Sequence, residues 1–152
     1  MKREKAIHRL ALGLLVTTGI SALAAWAFPA FEYAQADSIE KVEIQTRRKL
    51  AEYQRTKNAE PLLSWIMSQD AALYTAAMYT LGEWAMHHQP EFLTFLDAIE
   101  DRRWPEFTEG FCFVLADAGM DDDFRKAFRG YRSRRLSSVL DTVPDLMPWP
   151  KP

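Results

Sequence analysis

The sequence predicts an all-α protein: an apolar N-terminal segment, then a small antiparallel bundle or short solenoid of about six to seven helices. Three observations predict it. Helix punctuation recurs, with Pro61, Pro90 and Pro105 each placed to open a helix and Gly119 placed to close one. No Asn-Gly or Asp-Gly hairpin dipeptide occurs, and no stretch alternates apolar and polar residues as a half-buried strand would. The connections between the punctuated segments are short, which favours antiparallel neighbours. The 152 residues, 48% apolar and 26% charged, suit one compact domain.

The chain opens on a basic stretch, with Lys2, Arg3, Lys5 and Arg9 against Glu4. Twenty-two uncharged residues follow, Leu10 to Phe31, and then Ala34-Gln35-Ala36 before Asp37. A basic start, an apolar run and an A-x-A triplet are the parts of a secretory signal peptide. Basic residues resist translocation, so residues 1–9 are expected in the cytoplasm and the rest across the inner membrane. The run has the length of a spanning helix, about 20 residues, rather than the ~7–15 of a signal core. Against that, Gly13, Thr17, Thr18, Gly19 and Ser21 dilute it, and Pro29 ends a helix shortly before the triplet. Two readings of residues 1–36 stay open: a signal peptide cleaved after Ala36, or an uncleaved single-span anchor. The expected localisation is the periplasm, or the inner membrane with the N-terminus in the cytoplasm.

Residues 37–143 read as the helical domain. Asp37 and Glu40 make a capping pair for a first helix to about Lys57, with Ile39, Val42, Leu50 and Tyr53 inward. Pro61 opens a second helix through Ile66. Ser68 or Asp70 caps a third, on which Leu73, Ala77, Leu81, Trp84 and Ala85 share a face. Pro90 opens a fourth, with Phe92, Leu93, Leu96 and Ile99 inward. Pro105 opens a fifth carrying Phe107, Phe111, Val114, Leu115 and Ala118, which Gly119 stops. Asp121 caps a sixth with Phe124, Phe128 and Tyr131, and a short seventh spans Ser137 to Val143. Residues 144–152 hold four of the eight prolines around Trp149, which predicts an extended tail near polyproline II.

The stretch from Pro61 to Gly82, PLLSWIMSQDAALYTAAMYTLG, resembles one HEAT-type repeat. The Pro-Leu-Leu opening, Asp70 at the inter-helix turn, and Ala77, Leu81 and Gly82 occupy that family's places. The next unit, Pro90 to Gly119, matches loosely and lacks the basic residue usual after the turn aspartate. The resemblance covers about residues 61–119 and implies a short α-solenoid that works by protein contact.

Few side chains suggest chemistry. Glu83 and His87 are four apart on one helix face and His88 is adjacent, the one plausible set of metal ligands; polar residues closing a helix explain them as well. Asp121-Asp122-Asp123 lacks the alternation and glycine of a calcium loop and suits a helix start. Phe124 to Arg135 carries six basic residues and no acid. As one continuous helix it would put Arg125, Arg129 and Arg132 on one face and Phe124, Phe128 and Tyr131 on another. Such a face could meet an acidic partner or anionic lipid headgroups. Trp149 in the tail is a second candidate contact. Cys112, the single cysteine, excludes an internal disulfide and sits in an apolar run where a thiol is inert.

A net charge of −2 argues against a nucleic-acid partner. No phosphate loop, nucleophile elbow or dinucleotide fingerprint is present, so no cofactor is expected. The sequence therefore points to an exported, non-enzymatic helical protein acting through a protein partner, as an adaptor, envelope-complex component or inhibitor. Its alternatives are a small metal-dependent hydrolase using Glu83, His87 and His88, and a module binding anionic membrane surfaces. Oligomeric state is not encoded in any of these signals.

Overall fold

Proline opens three helices and glycine closes or follows two in the computed structural model, which describes residues 36–145. The residues before 36, expected to be a signal or anchor segment, and those from 146, with Trp149, lie outside the described residues. The chain divides into units Met1–Ser38 and Ile39–Pro152, and the packing below is internal to the second. The described residues form seven helices and no strand: α1 (36–56), α2 (Glu60–Met67), α3 (Ala71–His87), α4 (Gln89–Ala98), α5 (Trp104–Asp117), α6 (Asp121–Ala127) and α7 (Arg134–Asp145). None of these helices is long and apolar enough to cross a membrane.

Pro61, Pro90 and Pro105 all fall in the first two positions of their helices, where the missing N–H is no loss. α5 closes as predicted. Gly119 takes φ +65, its N–H bonds the Ala116 carbonyl at 3.1 Å, and the Met120 N–H bonds Leu115 at 2.8 Å. That paired arrangement satisfies carbonyls the helix end would otherwise orphan. α1 ends on Lys57, which adopts φ +59 without being glycine.

Several boundaries differ from expectation. Helix α1 is already formed at Ala36, so Asp37 lies inside it instead of capping it. Met120, not Asp121, holds the capping position of α6, and the three aspartates fill its first turn. α7 begins at Arg134 instead of Ser137, because Ser133 Oγ accepts the Leu136 N–H at 3.3 Å and caps the turn. The largest difference is that α6 stops at Ala127. Gly130, at φ +95, turns the chain there, and Arg129, Tyr131 and Arg132 lie beyond the helix.

α3 and α5 are the central pair. α3 also touches α2, α4 and α6, while α7 packs on both α5 and α4. Gly82 lets the central pair approach, since a Cβ there would meet Leu115 at 3.3 Å and Met120 at 3.4 Å. Around them lies an aromatic core of Tyr53, Phe92, Phe95, Phe107, Phe111, Phe124 and Phe128, all buried. Phe92 is its hub, with ring contacts to Phe95, Phe111, Phe124 and Phe128 at 5.5–6.1 Å. Of the apolar residues expected inward, Ala118 is exposed; Phe95, Met78 and Thr46 are buried without having been anticipated. Thr46 is satisfied twice: its hydroxyl donates to Val42 O at 2.8 Å and accepts the Trp65 indole N–H at 3.1 Å.

A second close approach predicts a measurable effect. Tyr74 lies over Gly110, so that a Cβ at position 110 would overlap the phenol oxygen. Burial first, and the neighbouring Glu106 and Glu109 second, push that phenol up to about 12. Gly110→Ala should gain about 1 kcal/mol of helix propensity but lose more through overpacking, for a net loss of about 1–2 kcal/mol. In a Tyr74→Ala background the same change should stabilise. Equal effects in both backgrounds, measured by urea unfolding, would refute the overlap.

Candidate functional site

The long basic and aromatic stretch does not assemble into the expected face. Arg125, still on α6, donates to the Leu140 carbonyl of α7 at 2.6 Å and so joins two helices. Arg129 and Arg132 are exposed in the turn and connection after α6. Tyr131 is 39% exposed rather than buried with Phe124 and Phe128. Lys126 pairs with Asp123 at 3.0 Å.

Arg135, from the same stretch, is the most committed cation of all. Its guanidinium donates to the Leu96 carbonyl at 2.8 Å, to the Ile99 carbonyl and to Asp101 at 2.7 Å, and it stands 4.6 Å from the Trp104 ring centroid. One side chain of α7 thereby adds donors at the C-terminal end of α4, where the Leu96 carbonyl otherwise has the Ile99 N–H at 3.3 Å. Arg103 plays a comparable part at the start of α5, donating to Glu60 of α2 at 2.6 Å and to Ser64 at 3.3 Å. The Ser64 hydroxyl bond first, and Arg103 next, hold the Glu60 carboxyl below its ordinary range against a smaller desolvation effect.

Cys112 faces inward and Phe113 outward, 56% exposed. The Cys112 thiol is 3.4 Å from the Val139 carbonyl, and burial pushes it up to about 12, with Arg125 offsetting only part of that. In the unfolded chain the thiol ionises near 9.0, and in the native protein it stays protonated toward 12. Its contribution to stability is therefore complete below the unfolded value and is lost as pH rises through the native one. Buried Tyr53, raised to about 12 from 10.0, acts in the same direction. The expected results are an alkaline decline in unfolding free energy and no alkylation of native Cys112 by iodoacetamide at neutral pH. Full modification in denaturant should accompany them. Rapid native alkylation would contradict the buried assignment.

Glu83, His87 and His88 do come together, on one side of a cleft between α1 and α3. It encloses about 370 Å³, and Arg47 and Gln54 of α1 face them. Trp84 forms part of the wall. Its ring stacks on His88 at 5.2 Å and 24° and meets Tyr53 edge-on at 6.1 Å. The Tyr53 hydroxyl in turn donates to the Glu91 carbonyl at 3.0 Å, so the wall is braced by the core and by α4. His88 is the single residue between α3 and α4, in a non-helical conformation (φ −134, ψ 52). Gln54 Nε2 of α1 meets His88 Nδ1 at 3.4 Å across the cleft. The charge of nearby Glu83 raises the Tyr79 phenol pKa.

As a metal site the arrangement is incomplete. Among the described residues no three His, Cys, Asp or Glu side chains are grouped to hold an ion. The sequence spacing found the acid and both imidazoles but missed Arg47 and Gln54, which lie on another helix with no local signal. A second cleft, of about 430 Å³, lies beside Arg135, whose charge is already engaged there. No protein-family model matches the chain, and neither a curated protein nor a solved structure does.

Proposed function

We propose that this chain is an exported, non-enzymatic helical protein that acts through protein contacts in the periplasm or at the inner membrane. The observation that carries the reading is the N-terminal order of a basic start, Leu10 to Phe31 without a charge, and Ala34-Gln35-Ala36. The helical domain supports it. Arg125, Arg103 and Arg135 join helices, and Cys112 is a buried thiol; none of these is presented for chemistry. Within this reading the domain is a small bundle rather than a HEAT-like solenoid. Solenoid repeats, here the pairs α2–α3, α4–α5 and α6–α7, contact adjacent pairs alone, whereas α3 also packs on α6. The anionic-lipid alternative loses its support, because it needed one unbroken basic helix beyond Ala127.

The test is a reporter active only in the cytosol, fused to the C-terminus. It should stay silent while a periplasm-only reporter at the same position works. The reverse pattern would overturn the compartment and the partner class together. Purification in mild detergent should then bring down a stoichiometric protein partner, and a solitary monomer would overturn the contact role.

A further inference from the structure

We propose that the cleft between α1 and α3 binds a carboxylate carried on an apolar or aromatic body. The inference goes beyond the exported, protein-contact role and stands independently of it. At about 370 Å³ the cleft falls in the range of small-ligand sites, roughly 300–1,000 Å³. Its lining is mixed, with Leu50, Ala51 and Met86 supplying apolar surface beside the Trp84–His88 stack.

The charges select the ligand. Arg47 forms no ion pair among the described residues, although Glu43 stands one turn away on the same helix. Glu83, the acid of the lining, forms no ion pair with Arg47. Arg47 offers an unpaired planar fork, with the Gln54 amide as a further donor, and a carboxylate is the anion that matches such a fork. A doubly charged phosphate fits less well. The cleft borders the last turn of α3, whose carbonyl end is negative, and Glu83 adds to that field. One negative charge is compensated by Arg47; a second is not. The flat Trp84 ring, braced by Tyr53, is a rigid platform for the ligand's apolar part.

The full-length chain in mild detergent, titrated calorimetrically, tests this with three probes: N-acetyl-L-phenylalanine, its carboxamide and 3-phenylpropionate. The two acids should bind saturably and the amide about tenfold more weakly. Arg47→Gln, at an exposed helical position, should weaken the acids about tenfold and leave the amide unchanged. Preference for N-acetyl-L-phenylalanine over 3-phenylpropionate would identify a polypeptide C-terminus as the source of the carboxylate, and parity would identify a small organic acid. Equal binding of acid and amide overturns the proposal. So does an Arg47→Gln variant that binds the acids as the parent does, or the absence of saturation up to the solubility limit.

Discussion

Replacing Arg135 with alanine will lower the unfolding free energy by about 3 kcal/mol, and urea titration of the purified protein will show it. The size follows from which of its contacts is shielded from water. The ion pair to Asp101 contributes little, because Asp101 is 99% exposed and exposed pairs are worth at most about 1 kcal/mol. The bonds to the Leu96 and Ile99 carbonyls weigh more, since Arg135 itself is only 20% exposed and its loss takes the donor from Ile99 and leaves Leu96 with the Ile99 N–H alone, at 3.3 Å. Contact with the Trp104 ring adds about 0.5–1 kcal/mol. Two comparisons follow. Asp101→Ala should cost under about 0.5 kcal/mol, and Arg135→Lys should recover less than half of the loss, because an ammonium cannot reach several acceptors as a fork does. An Asp101→Ala variant as damaged as Arg135→Ala would show that the ion pair, not the carbonyl contacts, is what matters.

Phe92→Ala should be more damaging still, at about 3–5 kcal/mol. The ring is fully buried and stands between α4, α5 and α6, touching Phe95, Phe111, Phe124 and Phe128. Four stiff rings around one vacancy cannot close it by changing rotamer, so the cavity persists and dispersion contacts are lost on every side. A domain of this size has about 5–15 kcal/mol of stability in total, so the variant should sit at the edge of folding. Phe92→Leu keeps most of the volume and should cost about 1–1.5 kcal/mol. A loss below about 1 kcal/mol for the alanine variant would mean that the core can collapse around the site.

The two effects differ in how visible they are from the chain alone. Phe92 follows Pro90 by two residues, and its inward placement was predicted from periodicity. Phe95 was not, although it is fully buried, because the assigned stripe was narrower than the face α4 actually buries. Arg135 appeared only as one cation in a run of six. Two local signals in the sequence mark the end of the domain. Gly130 marks the break after α6, and Ser133 marks the start of α7. With both included, the continuous basic face over Arg125, Arg129 and Arg132 would not have been drawn.

By itself the sequence determined where helices open and close. Proline lacks an N–H, glycine tolerates a positive φ and serine caps a turn, whatever lies elsewhere in the chain. Tertiary structure alone decided which charged side chains hold the fold and which remain for a ligand. Arg103 and Arg135 find partners 34 to 43 residues away, and Arg135 takes carbonyls that every residue possesses. A carbonyl becomes an unsatisfied acceptor only where a helix ends, and reachable by a given guanidinium only once two helices pack. The α1–α3 cleft arises the same way: Arg47 and Glu83 are 36 positions apart, and only the packing of α1 against Trp84 puts them on one site.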